Sequence, residues 1–225
     1  MVSGLPRETR CLPDIPDDER HFQTFAGVGP ARAEAGARAL IENGARALMS
    51  FGVAGGLSQA APAGMVVLAT SVADGDARHE TTAAWRAEIR QRIGDTHPVV
   101  EAPLAGSDHM VPSPEAKRQL HSDTSAIACD MESHAVARVA GAYNVPFVVV
   151  RAISDPHDRV VPTWVLGCLT PDGGVRTGAL IWQAARRPWS WGNVIGLAGD
   201  SGKAFDGLRR VALRLGPGLG LTEGL

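Results

Sequence analysis

The chain has little of what marks several large functional classes. It has 22 basic side chains against 24 acidic ones, a formal net charge of −2. The basic excess that phosphate backbones attract is missing, so nucleic acid is not expected as a partner. There are three cysteines, Cys11, Cys129 and Cys168, far apart and odd in number. Neither a disulfide framework nor a metal-ligand spacing follows from them, so a reducing cytoplasm and no metal are expected. No apolar run is long enough to span a bilayer. The stretch from Met1 to Glu8 lacks the apolar core of a signal peptide. Internal repeats and low-complexity segments are also lacking. What is left is a length of 225 residues, which suits one α/β domain with a sizeable core.

Strand-like and helix-like segments alternate along that length. Residues 1–20 are irregular, and Phe22 to Val28 reads as a short strand. Pro30 is placed to start a helix whose Ala33, Ala37, Leu40 and Ile41 share a face, with Gly44 as its stop. Ala47 to Val53 reads as a strand running into a glycine turn, Ala54-Gly55-Gly56, and Met65 to Val72 as another strand. Residues 83–93 are helical in pattern. Ser113-Pro114-Glu115 combines a cap, a first-turn proline and an acid, predicting a helix to about Ser122. This alternation predicts an α/β fold with a largely parallel sheet. The last third differs: it holds Trp164, Trp182, Trp189 and Trp191 and the pairs Arg186-Arg187 and Arg209-Arg210. Residues 176–187 and 203–215 look helical, with Leu208, Val211 and Leu215 on one face.

Two strands in the middle end in carboxylates. Phe147 to Val150 is short, apolar and β-branched, the pattern of a fully buried strand, and leads into Arg151-Ala152-Ile153-Ser154-Asp155. Ser125 to Cys129 reads as a second short strand, followed by Asp130 and Glu132. Parallel strands of α/β sheets deliver ligand-contacting groups at their C-terminal ends. Taken alone, Glu132 fits an acid favoured by the helix dipole, and Asp155 beside Pro156 fits a turn. As a site, Glu132 would accept hydrogen bonds from two vicinal ribose hydroxyls. Asp155, partly withdrawn from water, would be a general acid. The run Gly52 to Gly56 would let backbone N–H groups approach a phosphate or sugar, although no Walker lysine follows it. His134 is read as structural.

Taken together these motifs resemble the nucleoside phosphorylase and nucleosidase superfamily, which includes the methylthioadenosine/S-adenosylhomocysteine nucleosidases. The resemblance rests on Gly4-Leu-Pro-Arg-Glu8, on Ser50 to Leu57, on Gly106 to Val111, and on Asp130 to His134 with Arg151 to Asp155. Within the superfamily the chain is most similar to the hopanoid-associated phosphorylases, through Ser154-Asp155-Pro156 and the arginine-rich tail. That resemblance implies a three-layer αβα sandwich with a mixed, mostly parallel twisted sheet, formed as a single domain over residues 1–225 with a Trp/Arg-rich extension from about 160. It implies removal of adenine from a 5′-substituted adenosine, with adenosylhopane favoured, by phosphorolysis or hydrolysis; the alternatives are a methylthioadenosine/S-adenosylhomocysteine nucleosidase and a non-catalytic nucleoside-binding protein.

Carried over residue by residue, Asp155 would protonate N7 of adenine with help from Ser154. Met131 and Glu132 would hold the ribose. Met110, Val111 and Asp108 would form the base segment. Gly55, Gly56 and Arg151 would serve the phosphate or nucleophile, with Arg7 and Arg32 as further candidates. Glu8 would orient a water or lie near a phosphate. No cofactor is implied beyond inorganic phosphate as a co-substrate. The implied partners are a small-molecule or lipid nucleoside and further copies of the chain, as a homodimer or larger homo-oligomer. The arginines would suit peripheral contact with the inner membrane from the cytoplasm. Two departures stand out: Val53 replaces a residue that often bears a hydroxyl, and only Met1 to Ser3 precede Gly4, so the first strand is expected to be clipped or to begin upstream.

Overall fold

The computed structural model describes residues 1–13, 24–25, 27–162, 164, 167–168, 170, 176, 182–183, 186–187 and 191–221. The elements in order are β1 (Val2–Ser3), α1 (Pro6–Thr9), β2 (Thr24–Phe25), α2 (Pro30–Glu42), β3 (Leu48–Gly56), β4 (Val66–Asp74), β5 (Ala77–Glu80), α3 (Ala83–Ile93), β6 (Val99–Gly106), α4 (Pro114–Thr124), β7 (Ala128–Asp130), α5 (Ser133–Tyr143), β8 (Phe147–Asp155) and α6 (Trp191–Leu215). The sheet is mixed and runs β2-β1-β3-β7-β6-β4-β5, with β8 paired parallel to β3 and antiparallel to β4. The strands β3, β7, β6, β4 and β8 therefore close a ring.

The β8 sequence explains the layering. Side chains alternate along a strand, and both faces of β8 are covered. Phe147, Val149 and Ile153 pack with Ala33, Ala37 and Leu40 of α2 and Ala135, Val136 and Val139 of α5. Val148, Val150 and Ala152 pack with Trp85, Ile89 and Ile93 of α3 and Leu208, Val211 and Leu215 of α6. Two helices on each side of a mixed sheet give the expected three-layer α/β arrangement. A strand buried on both faces reads as a continuous apolar run, and Phe147 to Val150 is such a run.

Helix starts are local. Ser113 Oγ accepts from Ala116 N at 3.2 Å, and Pro114 occupies the first turn of α4. The α2 helix begins at Pro30 and ends before Gly44, whose φ of +92° suits glycine. Three expectations need correction. Ser125 caps α4 in a left-handed conformation, so the following strand is Ala128–Asp130, displaced toward the acids. The glycine run is no turn: β3 stays extended through Gly56, with a register irregularity at Ala54/Gly55 against β8. The helix expected at 203–215 is the second half of a 25-residue helix. Of the strand expected over Phe22 to Val28, Thr24–Phe25 forms β2, and the rest of it up to Ala26 lies outside the described residues, as does most of 176–187. No described helix is long and apolar enough to cross a membrane.

Leu208 is fully buried against the sheet. Leu208→Ala should lower unfolding stability by about 2–5 kcal/mol, measured by urea denaturation. A smaller loss would show that α6 is not part of the cooperative core.

Candidate active site

The parallel strands β1, β3 and β8 end at one side of the sheet, and β6 and β7 run into the same region, Gly106 opposite Asp130. A cleft there is lined by Gly4, Leu5 and Glu8 from the first strand and helix, Val53 to Gly55 from β3, Ser107 and His109 to Val111 after β6, Cys129 to Glu132 around β7, and Ser154 with Asp155 from β8.

The base of this site is a charge cluster. By alternation Arg151 faces the same side as Val149 and Ile153, yet it carries a guanidinium with no exposure. Its Nε lies 2.5 Å from Asp130 Oδ2, and one terminal nitrogen is 3.6 Å from Glu132 Oε2. That nitrogen also donates to Ser50 Oγ at 2.7 Å and to Ser133 Oγ at 3.3 Å, while the other donates to Val53 O at 3.2 Å. Ser133 hydrogen-bonds Asp130 in turn. Arg151 does not line the cleft, so the structure does not place it for the direct contact with a phosphate that the sequence reading expected; its terminal nitrogens hydrogen-bond Ser50, Ser133 and Val53, and its Nε faces Asp130.

Glu8 is held by backbone. Its Oε2 accepts from Gly4 N and Leu5 N, each at 2.8 Å, and its Oε1 from Val53 N at 2.8 Å. Burial pushes its pKa up to about 7, against the pull of Arg151. The room for it comes from Gly52, where any Cβ would fall on Glu8 Oε1 and the Arg151 guanidinium. Glu132 stands at the N-cap of α5 but makes no cap bond with its side chain. Its Oε1 instead accepts from Gly29 N at 2.9 Å. Burial also raises its pKa, opposed by Arg151.

Asp155 ends β8. Ser154 Oγ donates to its Oδ1 at 2.9 Å, and Lys117 Nζ lies 2.7 Å from its Oδ2. Burial raises the Asp155 pKa, and the Lys117 ammonium opposes the rise. Gly55 leaves space for this carboxylate, since a Cβ there would lie 3.1 Å from Oδ2.

The structure therefore gathers Glu8, Met110, Val111, Met131, Glu132, Ser154, Asp155 and Gly55 around one cleft. It does not bring in Gly56, which packs against Ala61 O, Ile153 and Pro156. Asp108 also stands apart from the lining: its side chain is 69% exposed and its Oδ1 lies 3.1 Å from Nε2 of the buried His134. Sequence reasoning missed Lys117, Ser50 and the Gly29 N–H. The available signal for Lys117 was its spacing, three residues from both Pro114 and Leu120 on the inward register of α4, in a chain with only two lysines, Lys117 and Lys203.

A family model described as the Phosphorylase superfamily matches residues 20–163, and the chain belongs to this superfamily of nucleoside phosphorylases and nucleosidases. It is 29% identical over 155 residues to a 5′-methylthioadenosine/S-adenosylhomocysteine nucleosidase of Actinobacillus succinogenes, a match over 59% of this chain and 66% of that one. The matched part thus spans just under two thirds of this curated relative. Among solved structures, the corresponding nucleosidase of Neisseria meningitidis, in complex with methylthio-immucillin-A, superposes with a TM-score of 0.67 at 16% identity, over 95% of this chain and 96% of that one. Futalosine hydrolase of Helicobacter pylori superposes with a TM-score of 0.64 at 16% identity, over 93% and 94%. These likenesses establish a shared fold.

Removing one member of a buried ion cluster leaves its partners unpaired in low dielectric. Arg151→Met should therefore destabilise the protein by about 3–5 kcal/mol, read from chemical denaturation at pH 8. Near wild-type stability would show that the acids relax to water.

Proposed function

We propose that this protein releases adenine from a 5′-substituted adenosine by hydrolysis of the N-glycosidic bond. The observation that carries this reading is the convergence of Glu8, Glu132 and Asp155 on one cleft. Breaking the bond builds positive charge on the ribose and negative charge on the purine. In the proposed reaction Asp155 gives its proton to N7 as the C1′–N9 pair enters the purine. The ionised Glu132 faces the ribose and accepts its hydroxyls. Glu8 takes a proton from the water whose oxygen bonds C1′. Proton exchange with solvent restores both acids. Phosphorolysis is the weaker reading, because Arg151 is already committed to acids and, among the described residues, no Lys or Arg side chain lines the cleft.

For the 5′ substituent we favour an apolar lipid chain, adenosylhopane being the substrate suggested by the resemblance in the tail. Supporting this are exposed apolar side chains in the last third, Trp182, Trp191 and Ile195, and Arg186, stacked 3.9 Å over the Trp182 ring. Such surfaces suit a lipid or a membrane. A methylthioadenosine or S-adenosylhomocysteine substrate is the second reading, favoured by the curated relative.

Adenine release from methylthioadenosine and from a long-chain 5′-alkyl adenosine, each with and without phosphate, separates these readings. The long-chain compound should react faster, and phosphate should not matter. Preference for methylthioadenosine would overturn the lipid reading, and a phosphate requirement would overturn hydrolysis. Asp155→Asn should cost about 10²–10⁴-fold in rate; turnover within a few-fold of wild type would remove Asp155 from the mechanism. A base must be ionised to act, so kcat/KM should rise as pH increases through about 7, the Glu8 value, and that rise should be absent in the residual activity of Glu8→Gln.

A further inference from the structure

Lys117 is fully buried in the first half of α4, and the reaction outlined above makes no use of it. A lysine without exposure requires partners, because an unpaired ammonium is costly to bury. The partners of Lys117 all belong to the segment that leaves β8. Nζ lies 2.7 Å from Asp155 Oδ2, 3.2 Å from Asp155 O, 2.9 Å from Pro156 O and 3.4 Å from Arg159 O. The carboxylate contact is the shortest of the four, so the ammonium engages the acid itself as well as the turn behind it. Ser154 Oγ takes the other carboxylate oxygen, and with both oxygens held the Asp155 group has one fixed orientation.

We infer that Lys117 is a positioning residue for the proton donor: it fixes the Asp155 carboxyl and stabilises the carboxylate left when the proton passes to the purine. This inference rests on the adenine-release reading. Its physical basis is that Asp155 gains negative charge in the transition state, where a preorganised cation counts most. Among the described residues, two other titratable groups bear on Asp155. Asp200 on α6 raises its pKa but is itself bound by Arg159 at 2.6 Å. The Cys129 thiol on β7 has its own ionisation pushed up, chiefly by burial. Lys117 is thus the charged group that favours the ionised acid, with the Ser154 hydroxyl adding a hydrogen bond.

The test compares wild type, Lys117→Met and Lys117→Arg on two substrates: an adenine nucleoside, and 4-nitrophenyl riboside, whose leaving group departs without N7 protonation. Lys117→Met should lose about 10–10²-fold in kcat on the nucleoside, stay within about twofold on the aryl riboside, and move the alkaline limb of kcat/KM to higher pH. Lys117→Arg should keep the wild-type limb. An equal loss on both substrates with an unmoved limb would reduce Lys117 to a structural role and overturn the inference. Should Lys117→Met not fold, the wild type answers alone. With ¹⁵Nζ-labelled lysine the two lysines give two signals, and the Lys117 signal should step at the pH of the alkaline limb and lose that step in Asp155→Asn. A Lys117 signal that does not step overturns the inference. Failure of the wild type to release adenine would instead remove the parent reading, and the inference with it.

Discussion

A guanidinium without access to water, facing Asp130 and Glu132 and within the field of Glu8, is the constraint around which this site is built. Burying one cation is costly, and burying several carboxylates is costlier still. Together they hold each other in place, and each acid comes from a different segment: α1, the end of β7, and the start of α5. Burial is the main reason Glu8 is pushed toward neutrality in its titration, with the nearby Glu132 charge adding to it and Arg151 opposing it. A carboxyl poised there can exchange a proton at physiological pH, which is what the proposed hydrolysis asks of Glu8.

The second centre, around Asp155, has the opposite balance. One carboxyl faces one ammonium, with Ser154 on the remaining oxygen. Two acids in one cleft thus sit in different fields, one crowded by like charges and one paired. Burial raises the pKa of both, opposed by Arg151 at Glu8 and by Lys117 at Asp155. The Arg159–Asp200 pair joins the turn beyond Asp155 to α6, so the C-terminal helix is tied mechanically to the acid it does not touch.

Much of this was legible in the sequence. The apolar run Phe147 to Val150 announced a two-face-buried strand, Ser113-Pro114 a helix start, and Pro30 to Gly44 a complete helix, because each is decided by neighbours in the chain. Glu8, Glu132 and Asp155 were visible through the motifs that surround them. What stayed hidden depends on contacts across the fold. Arg151 looked like an anion binder because nothing local reveals that Asp130 and Glu132 fold back onto it. Lys117 drew no notice, because nothing in its neighbours shows that the turn after β8 closes over it. The glycines of β3 looked like a turn because glycine in sequence signals conformational freedom, whereas here Gly52 and Gly55 are extended and needed for their lack of volume.

Those glycines have a wider consequence. Glycine is among the poorest strand formers, so a search for stabilising substitutions guided by propensity would select Gly52 and Gly55 first. A side chain at Gly52 would displace Glu8, and one at Gly55 would crowd the Asp155 carboxylate. Along β3, the space that the cleft carboxylates occupy and a firmer sheet therefore compete for the same atoms. Directed evolution of this scaffold toward heat resistance should find its gains elsewhere, in α3 and α6 on the far face of the sheet.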